Sequence, residues 1–137
     1  MPWIVRNVHR LMVVSGVLTL TMLFGLVAPD AALRSTFGAT LDGPVADVVV
    51  RNWAALIGLM GGMLIYAAPR PELRPLALSV AGLSKAIFIA LVLSHGRLFL
   101  GYQAGIAVVV DLAWVAVFAA YLVTARRAPS APRSAQV

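Results

Sequence analysis

Three charged side chains in this sequence stand inside or beside long apolar runs. Lys85 lies within the run 75–94, Asp111 within the run 104–124, and Arg51 near the start of the run 48–68. A Lys or Asp at the centre of a hydrocarbon layer costs about 2.5–3.5 kcal/mol on insertion scales, so such groups face the protein interior and find partners. Counted along helices, Lys85 is ten residues from Pro75 and Asp111 thirteen from Thr124. At a rise of ~1.5 Å per residue the two depths differ by about 5 Å, within a lysine's reach. Arg51 is seventeen residues from Ala68 and sits further out. Arg51, Asn52, Lys85 and Asp111 form the predicted ligand or ion-pair cluster, with Ser84 and Tyr102 as neutral neighbours. Two chemistries are open to it. Lys85 and Asp111 form a structural ion pair that locks two helices, or the cluster binds a polar head group or relays protons or ions. The structural pair is the leading expectation, and the spare positive charge of Arg51 keeps the second open, since it could meet an anionic group entering from outside.

Little else in the chain has the pattern of a reactive site. There is no cysteine, hence no thiolate nucleophile, no disulfide and no Cys-ligated metal. His9 and His95 fall near opposite faces of the membrane and cannot share a metal; His95 reads as an interfacial residue or, less simply, a proton-handling one. No Ser/His/Asp set, carboxylate dyad, dinucleotide glycine fingerprint or P-loop is present. No catalytic residue, metal site or cofactor is assigned. Ser15, Thr19 and Thr21 are expected to bond to their own helix backbone.

The elements that must position these charges are membrane helices. Of 137 residues, 61% are hydrophobic and 12% charged, and the mean hydropathy is +0.93. A soluble domain carries about 25% charge to cover its surface, which excludes the soluble classes. Four apolar runs, at about 11–28, 48–68, 75–94 and 104–124, each approach the ~20 residues that cross a hydrocarbon core of ~30 Å. They are continuously apolar, whereas barrel strands alternate. The predicted fold class is all-α, a four-transmembrane-helix bundle spanning residues 1–127, followed by a disordered cytoplasmic tail, 128–137. The first run is expected to be a retained span rather than a cleaved leader.

The charged residues share helix faces with small ones. Arg51 lines up with Ala55, Gly58 and Gly62, Lys85 with Ala81 and Gly82, and Asp111 with Ala104, Ala107 and Trp114. Small residues let membrane helices approach closely, so Gly58, Gly62, Gly82, Gly101 and Gly105 are predicted helix-packing positions. The connection 31–47 reads as the one sizeable loop, with Asp42-Gly43-Pro44 as a turn and helix start and Asp47 paired to Arg51 at i, i+4. Residues 69–75 form a tight, proline-stiffened turn.

The net charge of +6 is distributed as topology demands rather than as a nucleic-acid stripe. With the N-terminus inside, seven arginines fall on the cytoplasmic side and three outside, which places both termini in the cytoplasm. Trp3, Trp53, Tyr66, Tyr102 and Tyr121 fall near span ends, as an aromatic belt would. The expected location is the bacterial inner membrane. The expected partners are membrane lipids, with other membrane subunits or further copies of the chain as candidates, and no nucleic acid.

Arg51-Asn52-Trp53, followed by Gly58-Leu59-Met60-Gly61-Gly62, and the Pro-Arg-Pro turn before a third apolar span resemble the small four-helix bacterial membrane proteins grouped as DoxX-like. The resemblance covers most of the chain in topology and about a dozen residues in pattern. Members include subunits attached to quinone-linked oxidoreductases, so the resemblance implies an accessory role in an inner-membrane complex and no catalytic residue. The leading expectation is a non-enzymatic accessory subunit or a binder of a lipid-like or quinone-like molecule. The alternatives are a small oligomeric transporter or channel using Lys85 and Asp111, and a membrane enzyme acting on a lipid or isoprenoid.

Overall fold

Backbone amides and carbonyls in hydrocarbon must be satisfied within the chain, and among the described residues every regular element is helical. A computed structural model describes residues 2–127, so the predicted tail 128–137 lies outside the described residues. The first span is α1 (Pro2–Leu20), a 3-10 turn (Thr21–Leu23) and α2 (Phe24–Val27). It is followed by α3 (Pro29–Phe37), α4 (Pro44–Ala67), α5 (Arg74–Ser94) and α6 (Gln103–Arg127). Four stretches are long and apolar enough to cross a membrane: Trp3–Val27, Pro44–Ala67, Arg74–Ser94 and Gln103–Ala125. The chain is a multi-pass membrane protein built as an all-α four-helix bundle.

Two boundaries differ from the sequence reading. The first helix begins at Pro2 rather than near residue 11, because no breaker separates the polar start from the apolar run. The second difference is α3, which occupies much of what reads as a loop. Pro29 ends the first span and also opens α3 at its first turn, where a missing N–H costs nothing. Asp30 stands in that first turn, favourable for the helix dipole, and Gly38 closes the helix with φ 75°. Leu33 is buried and Phe37 half-buried, so α3 lies on the bundle rather than projecting from it.

The 3-10 turn has a local cause. Thr19 Oγ1 donates to the Ser15 carbonyl at 2.8 Å and Thr21 Oγ1 to the Leu18 carbonyl at 2.6 Å, and such back-bonds compete with the α ladder. Ser15 departs from expectation: its Oγ is buried and has no hydrogen-bond partner.

The spans form a ring in which α1 and α2 lie beside α4, α4 beside α5, α5 beside α6, and α6 beside α1. At one end Val8 and Met12 of α1 meet Leu64, Leu78 and Phe118. At the other, Ile89 and Val92 of α5 meet Ala104 and Val108 of α6, flanked by Phe37. The connection after α4 is held by arginines. Arg74 Nε donates to the Ala68 carbonyl at 2.9 Å, and Arg70 donates to the Tyr66 carbonyl with its guanidinium 3.7 Å from that ring's centre.

α1 and α4 approach each other backbone to backbone. A Cβ on Gly16 of α1 would lie 2.7 Å from the Gly61 carbonyl oxygen, and one on Gly61 would lie 2.6 Å from that of Gly16. Of the predicted packing positions, Gly58 is covered by Leu23, and Gly82 leaves ordinary contact with Phe118 at 3.7 Å. Gly105 lies under the Leu100 carbonyl of its own preceding turn, while Gly62 and Gly101 have open space. Gly61 rather than Gly62 faces α1, because one residue along a helix turns the side-chain direction by about 100°.

Gly61→Ala should therefore force α1 and α4 apart and destabilise the protein by about 1–3 kcal/mol, whereas Gly62→Ala should stay within about 0.5 kcal/mol of the parent. Thermal unfolding of both variants in one detergent measures the difference.

Candidate functional site

Lys85 and Asp111 meet across the α5–α6 seam, with Lys85 Nζ 2.5 Å from Asp111 Oδ1. Their side chains are 13% and 15% exposed, which leaves little room for a water shell. The helical repeat explains the meeting. Ala81, Lys85 and Ile89 follow at i, i+4 on α5, and Val108, Asp111 and Trp114 at i, i+3 on α6, so both charges point along faces that otherwise pack apolar groups. The pair separates the two apolar clusters of the core. Here neither ion keeps a free charge, and the arrangement can hold two helices in register.

Arg51 is engaged elsewhere. Its Nε lies 2.9 Å from both carboxylate oxygens of Asp47, one turn earlier on α4, and its Nη1 donates to the Leu26 carbonyl of α2. The break at Ala28, with φ −127° and ψ 70°, and the absent N–H of Pro29 leave the end of the first span short of backbone donors. Arg51 supplies one from the neighbouring helix. The predicted single cluster is thus two separate pairs, and among the described residues no hydrogen bond or ion pair joins Arg51 to Lys85 or Asp111. The physical reason is direction: Arg51 points from α4 toward α2, whereas Lys85 points from α5 toward α6. Asn52 is exposed and makes no side-chain hydrogen bond among the described residues.

The α3 end of the bundle holds a pocket that the residue pattern did not single out. Its cavity is about 220 Å³ and lies between α3, α4, α5 and the 95–102 connection. Phe37 forms the corner of an aromatic wall, with its ring 6.0 Å from Trp53 and 5.3 Å, edge-on, from Phe99. Phe88 and Val92 line the deeper side, and Leu91, 60% exposed, borders the opening. His95 sits at the rim, its ring 5.5 Å from Phe99. Its Nδ1 is 2.9 Å from the Leu91 carbonyl.

The signal for this pocket was present in part. Phe88, Val92, His95 and Phe99 recur at spacings of three and four, which puts them on one helical stripe. Trp53 reads equally well as a belt residue, and Phe37 falls in the segment that reads as a loop. A second cleft of about 180 Å³ lies between α3 and the start of α4, with Asp30, Asp42 and Asp47 on its walls. Among the described residues no group of three carboxylate or imidazole side chains is placed to hold a metal ion.

The Lys85–Asp111 contact has a clear energetic signature. Lys85→Met alone leaves an unpaired carboxylate among apolar groups and should cost about 3–5 kcal/mol, while the double replacement Lys85→Met/Asp111→Leu should cost markedly less. Unfolding of the single and double variants in detergent measures the coupling, and equal losses would show the contact to be energetically empty.

Comparison of the chain with family models, with curated proteins and with solved structures finds no match to any of them.

Proposed function

We propose that this chain is a non-enzymatic inner-membrane protein that binds a lipid-like or quinone-like molecule at the α3 end of its bundle, as an accessory subunit beside a partner in the membrane. The observation that carries the reading is the aromatic pocket of Phe37, Trp53, Phe88 and Phe99. Ligand sites are concave, mostly apolar, and furnished with few polar groups, and His95 is the polar group at this one. Leu91 borders the opening and is exposed on a helix long enough to span a membrane, which suits a ligand that arrives through the lipid. The likeness of Arg51-Asn52-Trp53 to the DoxX-like proteins supports the accessory role.

Organic extraction and mass spectrometry of gently purified protein should recover a lipid-soluble molecule beyond bulk phospholipid. The same molecule should be lost from Phe99→Ala and from Trp53→Leu while the fold persists. Recovery of bulk phospholipid alone from the parent would remove the reading.

One observation favours a second reading, a small transporter: a Lys–Asp pair stands near the middle of two spans at 2.5 Å. Flux of a cation or proton into reconstituted liposomes that disappears in Asp111→Asn would support it, and unchanged flux would exclude that role for Asp111.

A further inference from the structure

One amide on α4 faces away from the bundle. Asn52 is exposed and makes no side-chain hydrogen bond among the described residues. It lies nine residues from Gly61, two and a half helical turns, which puts it on the side opposite the glycine that meets α1. By the same interval Leu59 stands opposite buried Val50, and Ala55 opposite buried Leu64. In a multi-pass protein this outward side meets lipid. Exposed leucine or valine is ordinary there, but hydrocarbon offers an amide neither donor nor acceptor. Thr19, Thr21 and Thr124 of the first and last spans donate to carbonyls of their own helices; Asn52 does not.

Depth sharpens the point. α4 has 24 residues, about 36 Å at 1.5 Å per residue, against a hydrocarbon core of ~30 Å. Asn52 follows Pro44 by eight residues, about 12 Å, so even with the whole excess at that end the amide lies about 6 Å inside. Exposed Val45, Val48 and Val49 stand between it and the helix start. With a single methylene, Asn52 cannot reach past them to water as a longer side chain would.

The rest of the outward side matches a second copy of the same helix. Val48, Asn52, Ala55, Leu59, Gly62 and Tyr66 follow at alternating steps of four and three, the spacing of a two-helix seam crossing at about +20°. A Cβ on Gly62 would meet nothing within 4 Å, so this small position is open to another backbone. Copies of one membrane chain share one orientation. A twofold axis along the membrane normal therefore sets each outward residue of α4 opposite itself at the same depth. A carboxamide carries both donors and an acceptor, so it is complementary to itself. A lone Asn in such a seam fixes its register and its number of strands.

We infer that the chain forms a parallel homodimer through the outward side of α4, with the two Asn52 amides hydrogen-bonded to each other across the twofold axis. The inference is independent of what the aromatic pocket binds. Trp53, on the pocket wall, points about 100° away from Asn52 round the helix, so the pocket lies outside the seam.

The test uses the full chain. Sedimentation equilibrium in density-matched detergent micelles should show the parent in a monomer–dimer equilibrium. Asn52→Leu should raise the dimer dissociation constant by about 3- to 30-fold, the range for one interhelical polar contact. Asn52→Gln, which keeps the amide, should recover part of the loss. Gly62→Ile should also weaken the dimer, yet leave the far-UV circular dichroism unchanged because its side chain enters open space. The chain has no cysteine, so introduced single cysteines report contact in lipid vesicles. With copper phenanthroline, Leu59→Cys should give a disulfide-linked dimer. Leu83→Cys on α5, at a position 64% exposed against 69% for Leu59, should not. Equal crosslinking at both positions, or a dimer indifferent to Asn52→Leu and Gly62→Ile, would overturn the α4 seam. A parent that is monomeric in mild detergent, with Leu59→Cys uncrosslinked in vesicles, would overturn the homodimer. Capture of a different membrane chain through Leu59→Cys in native membranes, in place of a second copy, would overturn it too.

Discussion

Two opposite charges near the middle of α5 and α6 constrain the whole bundle. Each alone would cost a few kcal/mol to hold in hydrocarbon, and together, at 2.5 Å, they neutralise each other. Lys85 and Asp111 must therefore face one another, which fixes the rotation and the axial register of α5 against α6. Register in turn places Phe88, Val92 and His95 at the α3 end, beside Phe99 of the following connection. A slip of one turn would separate the charges and carry the pocket's wall away from Phe37 and Trp53.

The other half of the bundle is held differently. Between membrane helices there is no water to expel, so close packing and polar contacts must do what hydrophobic burial does in soluble proteins. Gly16 and Gly61 let α1 and α4 approach until the backbone of each lies against the other. Arg51 then ties the end of the first span to α4 by donating to the Leu26 carbonyl while paired with Asp47. That contact repairs the place where the chain breaks at Ala28 and turns into α3. α3 is what brings Phe37 over the aromatic end of the bundle, so the pocket depends on this join as well as on the ion pair.

Charge and shape thus have distinct tasks here. The Lys85–Asp111 pair is turned toward protein and joins two helices, the Asp47–Arg51 pair lies half-exposed along α4, and the pocket itself is aromatic with one imidazole at its rim. The same division explains why the residues that draw attention first are not those that line the pocket.

Four spans were legible in the sequence because twenty-residue apolar runs have few alternatives in water or lipid. Pro44 as a helix start and the Asp47–Arg51 pairing were legible too, since both depend on neighbours within one turn. The meeting of Lys85 with Asp111 followed from depth, as hydrocarbon penalises any other arrangement. Helix α3 was hidden because Pro29 reads as an end when taken with the residues before it and as a beginning when taken with those after. The choice of Gly61 over Gly62, the direction of Arg51 and the convergence of Phe37, Trp53, Phe88, His95 and Phe99 were decided only by the tertiary structure. Each depends on how one helix is rotated against another, and a rotation of one residue, about 100°, leaves the hydropathy of the chain unchanged while exchanging every contact.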